Sequence, residues 1–405
     1  MPARPANTRT AARSYYEFQR LHLRVRDRQL MLFTRASLGR WRQAALPTQL
    51  LAEAMAIPDD ARVLSLHAGH GVVGAVAAML APDGHVTLVD HNCVAVEAAR
   101  RTLAAHGVRN ADVLLGDCAQ PVGERRFHVV LALCPRERAV REQTILDAAA
   151  RLEPGGRFYI AGANKLGIRS AERFTNGVFG NAQAVAYKGG CRVIRALKGK
   201  DVSLPSSDYY RWREVTAQVG AEPLRYLSKP GLFSWDALDD GTRVLIEALL
   251  EKPLYANSRV LDVGCGSGVL SLVAARQATK GRVTAIDVDS RAAEATRRTL
   301  ELNAITNADV LLGDCTKPVS RKKFAAVVTN PPFHDQRSAS YVFAEQIIKD
   351  SARLLKPRGR LFLVANAHLK YAPRLEASFR RVEIVRETTR HKVYLATKGS
   401  KASGD

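Results

Sequence analysis

The chain has 405 residues, 46 % of them hydrophobic, with 61 Lys and Arg against 39 Asp and Glu, a formal net charge of +22. That length suggests two domains, the apolar fraction excludes global disorder, and no apolar run approaches the roughly 20 residues of a membrane span. The positive field attracts polyanions, so nucleic acid is the expected partner.

The cysteines (Cys93, Cys118, Cys134, Cys191, Cys265 and Cys315) are scattered without a C-x-x-C pair. This argues against a metal site or disulfide framework and for a reducing, cytoplasmic compartment. From the start, Arg4, Arg9, Arg13, Arg20, Arg24, Arg26, Arg28, Arg35, Arg40 and Arg42 face only Glu17 and Asp27 as counter-charges before residue 45. Met1–Ser14 fits either a transit peptide or an RNA-touching arm. The arginines continue past any plausible cleavage point, which favours a basic arm, drawn over 1–30.

The chain then repeats itself. Asn110–Cys118 (NADVLLGDC) recurs as Asn307–Cys315, an offset of 197 (307 − 110). Arg62–Leu64 and Arg100–Leu103 recur at the same offset, and Pro154 meets Pro357 at 203 (357 − 154). The extra residues fall at Pro332–Ser338. A period this long is a duplicated domain rather than a solenoid. Residues 168–230, rich in Gly, Ser, Arg and Lys, read as the end of the first copy plus a linker.

In the second copy the alternation is plain. Arg259–Gly264 predicts a strand, Val269–Ala278 a helix, Arg282–Val288 a strand and Ser290–Asn303 a helix. Strands at Ala308–Asp314 and Ala325–Asn330, a helix over Ala339–Leu355 and a strand at Arg360–Asn366 follow. Arg381–Thr388 and His391–Thr397 predict an antiparallel hairpin. Strands alternating with helices imply a doubly wound, mostly parallel α/β sheet, with ligands at the carboxyl ends of its strands.

Two motifs fall at such ends. Asp262–Gly268 (DVGCGSG) follows a strand and opens a helix, so Gly264, Gly266 and Gly268 let a ligand approach the backbone, with Cys265 in the turn. An aspartate ahead of the first glycine suits a cation better than a pyrophosphate. Asp287, with Asp289 beyond it, is placed for two ribose hydroxyls, and Asp314 for an adenine amine with Cys315 beside the ring. A sulfonium, an ammonium, a ribose and an adenine make up S-adenosylmethionine. The second motif is Asn330–Pro331–Pro332–Phe333, at the end of a buried strand. Asn330 brings a carbonyl acceptor, Pro331 and Pro332 stiffen the turn, and Phe333 offers a flat face. The side chain of Asn330 and the carbonyl of Pro331 are expected to accept the two N–H groups of an exocyclic ring amine. His334 and Asp335 add edge contacts. The base must be unpaired or flipped to enter.

Asn330–Asp335 (NPPFHD), Lys229–Asp239 (KPGLFSWDALD), Val364–Tyr371 and His391–Tyr394 resemble the bacterial ribosomal RNA guanine-N2 methyltransferases. That group has small- and large-subunit members, each with tandem methyltransferase-like domains. The resemblance is specific over Lys229–Thr397 and weaker, though collinear, before it. It implies two tandem Rossmann-like class I methyltransferase domains arisen by duplication, S-adenosylmethionine as donor, guanosine N2 of ribosomal RNA as acceptor (16S favoured over 23S), and catalysis in the second domain alone. The first copy agrees. Ser65 stands where Asp262 does, His67 for Gly264, Leu133 for Asn330 and Cys134 for Pro331, while Gly69, Gly71, Asp90 and Asp117 survive. The expected division is a degenerate domain at 31–185 (RNA docking or packing), a linker at 186–228, a catalytic domain at 229–398 and a tail at 399–405, in a monomer that is its own pseudo-dimer. Two rivals remain: the same chemistry on another amine (adenine N6 in RNA or DNA, or a protein glutamine amide, which fits the positive charge poorly), and a non-enzymatic ribosome-assembly factor with a vestigial pocket.

Overall fold

A computed structural model describes residues 15–38, 45–200, 202, 204–331 and 339–400. Met1–Ser14 and residues 401–405 lie outside the described residues. The first half opens with a hairpin, β1 (Gln19–Val25) and β2 (Arg28–Thr34), and a helix, α1 (Leu46–Ala54). Then come β3 (Arg62–Leu66), α2 (Val72–Leu80), β4 (His85–Asp90), α3 (Cys93–Ala105), β5 (Ala111–Leu115) and β6 (Phe127–Leu133). It ends with α4 (Arg138–Arg151), β7 (Leu152–Ala163), α5 (Ile168–Phe179), β8 (Gln183–Lys188) and β9 (Cys191–Leu197).

The second half repeats the plan. A hairpin, β10 (Arg213–Gln218) and β11 (Pro223–Ser228), leads to α6 (Asp240–Glu251). Then come β12 (Arg259–Val263), α7 (Val269–Gln277), β13 (Arg282–Asp287), α8 (Ser290–Leu302), β14 (Ala308–Leu312) and β15 (Phe324–Thr329). It closes with α9 (Ala339–Leu354), β16 (Leu355–Asn366), α10 (Ala372–Glu376), β17 (Arg381–Glu387) and β18 (His391–Thr397).

Each half is one seven-stranded sheet, in the orders β5-β4-β3-β6-β7-β9-β8 and β14-β13-β12-β15-β16-β18-β17. Five strands of each are parallel, and the closing pair joins them antiparallel. Successive strand residues point to opposite faces, so neighbours go to different cores. Val260, Val328 and Phe362 pack on one side of the second sheet, and Leu261, Val327 and Leu361 on the other. Among the described residues no helix is long and apolar enough to cross a membrane.

The divisions expected from composition shift. A boundary at 185 falls inside β8, and β9 holds buried Val193 and Ile194 between Arg192 and Arg195, so arginine content disguised a strand as linker. The span read as arm, 1–30, contains β1, whose Leu23 and Val25 enter the first core. The span read as linker contains the whole β10–β11 hairpin.

Helix α2 starts at Gly71, whose φ of +79° favours glycine and whose added Cβ would lie 2.7 Å from Ala99 Cα on α3. Gly71→Ala is therefore expected to cost about 2 kcal/mol or more, read as a lowered midpoint of thermal unfolding.

The halves brace each other reciprocally. Tyr15, ahead of the first half, donates to Asp314 in the second (3.0 Å), and Tyr16 donates to Asp350 (2.5 Å). Tyr209, ahead of the second half, donates to Asp117 in the first (2.9 Å), and Tyr210 donates to Asp147 (2.5 Å). Buried ion pairs complete both braces, Arg35 with Asp314 (2.8 Å) and Lys229 with Asp117. Between them the backbones meet directly: Cys93 N–H donates to Val288 C=O (3.0 Å) and Ser290 N–H to His91 C=O (2.9 Å).

Candidate active site

Strand order in the second half reverses between β12 and β15, and open α/β sheets bind ligands in the crevice beyond such a switch. Val263 pairs with Thr329, so Gly264 and Asn330 leave the sheet side by side. The Thr329 hydroxyl donates to Val263 C=O (2.8 Å) and ties the two strand ends. A cleft there is lined by Phe233, Ser234, Asp239, Gly264, Gly266 and Asn330, with others.

The glycine turn faces that space. Gly264 and Gly266 have φ of +78° and +55°, and a Cβ added to either meets no atom within 4 Å. Gly268, the N-cap of α7, instead packs against Thr296. Asp287 shapes the turn: its carboxylate accepts from Gly266 N–H (3.0 Å) and Asp289 N–H (3.0 Å). Burial pushes its pKa up to about 6. Lone pairs remain for hydroxyl donors.

Asp262 lies wholly buried behind the turn. One carboxylate oxygen takes the Ser271 hydroxyl (2.6 Å), and the other has no partner. Burial pushes this acid up to about 7. A buried carboxylate short of donors is stabilised by positive charge nearby, so Asp262 suits a cationic ligand on the far side of the turn.

Asn330 is oriented by neighbours the sequence reading had not used. Its side-chain nitrogen donates to Asp239 Oδ2 (2.9 Å) and Thr242 Oγ1 (2.8 Å). A carboxylate only accepts, so the amide nitrogen must face Asp239, leaving the carbonyl oxygen as a fixed acceptor. Asp239 also caps α6 by accepting from Thr242 N–H (2.8 Å). The D-x-x-T pattern before a helix was the available signal. Pro331 follows, buried. Pro332, Phe333, His334 and Asp335 lie outside the described residues.

Three expectations change. Asp314 is not open to an adenine amine: its carboxylate is taken by Tyr15, Arg35 and Ser37 (3.4 Å). Asp289 caps α8 and holds Arg291 (2.7 Å), so its carboxylate is spent on the interface between the halves. The Cys265 thiol is buried against the Thr296 hydroxyl (3.2 Å) and that of Cys315 in the core, so neither thiol is presented to a ligand. The rest of the set, a cation-stabilising acid, an open glycine turn and a hydroxyl-accepting Asp287, fits S-adenosylmethionine.

The sequence family described as "Methyltransferase small domain" matches residues 39–195 and again 223–395. The chain is 34 % identical over 288 residues to "Ribosomal RNA small subunit methyltransferase C" of Yersinia enterocolitica, covering 71 % of this chain and 80 % of that protein. It is 32 % identical over 273 residues to the same-named protein of Stutzerimonas stutzeri, covering 67 % and 80 %. Among solved structures it is similar to the T. thermophilus 16S rRNA N2 G1207 methyltransferase (RsmC) in complex with AdoMet and guanosine, at 27 % identity and a TM-score of 0.79, covering 95 % of this chain and 98 % of that one. The chain belongs to the ribosomal RNA small subunit methyltransferase C family.

In this member the first half keeps the frame of the site and has lost its space. Asp90 accepts from Gly69 N–H (2.9 Å) and Asn92 N–H (2.9 Å), as Asp287 does in the second half. Yet Ser65 replaces the buried acid, and the His67 ring sits near Thr144 Oγ1 (2.8 Å), its pKa pushed down to about 4 by burial. Where Gly264 leaves open space, this imidazole is packed into the protein.

Asp239→Ala frees the Asn330 amide to rotate while leaving every glycine-turn contact in place. It is expected to lower kcat about tenfold and leave cofactor affinity within about twofold, measured by steady-state methylation and calorimetry.

Proposed function

We propose that the second half transfers the methyl group of S-adenosylmethionine to the exocyclic N2 amine of a guanosine in small-subunit ribosomal RNA. This protein is an S-adenosylmethionine-dependent ribosomal RNA methyltransferase by family. The guanine-N2 specificity is supported by the solved relative with guanosine bound. The observation that carries the reading is the fixed orientation of the Asn330 amide at the switch point, beside an open glycine turn.

When bound, the cofactor supplies an activated methyl on a sulfonium; the chain's task is to position the nucleophile. In our reading Gly264 and Gly266 with Asp287 hold the nucleoside part, Gly268 caps the helix behind them, and buried Asp262 offsets the positive charge. Asn330 Oδ1 and the Pro331 carbonyl accept the two N–H groups of the amine, drawing its lone pair out of the ring plane. Phe333 is proposed, from sequence alone, to stack on the base, with His334 and Asp335 at its edge. The first half serves as scaffold and RNA-docking surface. The protein acts as a monomer in the cytoplasm, its two halves standing in for a dimer.

Small-subunit RNA from cells lacking the protein, incubated with it and labelled cofactor, should yield N2-methylguanosine on nucleoside mass spectrometry. N6-methyladenosine instead would favour the adenine rival. Failure to bind the cofactor would favour the assembly factor.

A further inference from the structure

Asp117 lies just past β5 in the half whose own site is closed, and it is not idle. It is buried, and its carboxylate takes Tyr209 Oη (2.9 Å) and Lys229 Nζ, with Arg291 at 3.8 Å. Lys229 is itself buried, and its ammonium lies 4.9, 5.3 and 5.5 Å from the ring centres of Tyr209, Tyr210 and Trp212. So caged, the ammonium has Asp117 as its ion-pair partner.

The chain after Lys229 is pinned for two more residues. Gly231 N–H donates to Glu137 of the first half (3.0 Å). Its φ is +95°, and an added Cβ would lie 2.8 Å from both Arg291 and Tyr209, so no side chain fits there. Leu232 is buried against Ala292 and Ala295 of α8. The next two residues, Phe233 and Ser234, line the cleft opposite Gly264–Ser267, and Ser234 holds a strained φ of +47°. Thus only three residues separate a buried ion pair that joins the halves from a wall of the cleft.

We propose that Asp117 and Lys229 form a latch by which the degenerate half positions the Phe233–Ser234 wall of the cofactor cleft. Lys229 and Asp117 are positioning residues: they act through Gly231 and Leu232 and touch neither reactant. The surviving acid of the closed site serves the open one. This inference rests on the cofactor reading and is independent of which base is methylated.

Removing one partner leaves a buried charge alone and risks unfolding, so the decisive variant removes both: Asp117→Leu with Lys229→Met. With the intact chain, we expect the dissociation constant for S-adenosylmethionine, by calorimetry, to rise about tenfold. KM for the cofactor should rise in parallel and kcat at saturation should stay within about twofold. Amide exchange over 232–238 should quicken. Lys229→Arg in the otherwise unaltered chain, which keeps the charge opposite Asp117, should keep much of the affinity. Tyr210→Phe removes a hydrogen bond from the same strap to Asp147 but leaves the latch, and should leave cofactor affinity unchanged. A folded double variant with wild-type affinity would overturn the proposal, as would an equal loss in Tyr210→Phe. Absence of binding by the unaltered protein would instead sink the cofactor reading.

Discussion

Replacing Asn330 with Ala is expected to leave S-adenosylmethionine binding within about twofold of the unaltered protein and to slow methyl transfer by a factor on the order of 10²–10³. The glycine turn, Asp262 and Asp287 do not touch this side chain, so the cofactor keeps its partners. What disappears is an acceptor already aimed before the substrate arrives. An arylamine lone pair is spread into its ring, and localising it needs both N–H groups held out of plane. The Pro331 carbonyl alone holds one of them. Asn330→Asp gives a complementary result. It places a second carboxylate where the amide nitrogen now lies 2.9 Å from Asp239, so the two acids must share a proton. Activity in that variant should rise as pH falls. Single-turnover assays with saturating cofactor check both; an Ala variant with normal turnover would remove Asn330 from the chemistry.

The second large effect concerns Asp262. Its folded pKa of about 7 stands above the ordinary carboxylate value near 3.8, because burial disfavours the charge. Below the unfolded pKa the acid is neutral in both states and costs nothing. Between about pH 4 and 7 the unfolded chain sheds this proton while the folded chain keeps it, so stability falls by about 4 kcal/mol across that window and is level above it. Asp262→Asn should therefore stabilise the unliganded protein at pH 8 by up to this amount and change little at pH 4. The same variant should bind the cationic cofactor more weakly, and its affinity should lose the decline expected in the parent as pH drops below 7. Urea titrations at the two pH values, paired with calorimetry, read both arms. A variant less stable than the parent at pH 8 would show that the charge is satisfied in the apo protein.

Much of this was legible in the chain. The duplication, the alternation of strand and helix and both motifs follow from short-range pattern, and the second-copy elements fall within a few residues of their expected ends. The strand was expected from Arg360, with Leu355 ending the helix before it, whereas β16 starts at Leu355 and its pairing with β15 shifts register there. The site's acids were harder. Asp262 and Asp287 stand behind the cleft, and what each does depends on burial. Asp314 and Asp289 were assigned to the ligand from their strand-end positions, but Arg35 and Arg291 take them, and Arg35 lies 279 residues away (314 − 35). No local pattern announces a partner at that distance. Asp239 and Thr242 likewise carry a helix-capping signature in sequence, and only the fold brings them under Asn330.

The crossed braces share one plan. Tyr15, Tyr16 and Arg35 do to Asp314 and Asp350 what Tyr209, Tyr210 and Lys229 do to Asp117 and Asp147. Equivalent contacts made in both directions are the mark of a two-fold symmetric pair of identical subunits. That is the arrangement two identical subunits would make by exchanging arms, here written into a single chain. The copy with Ser65 and Leu133 in place of the acid and the amide still lends its arm and its acid to the other.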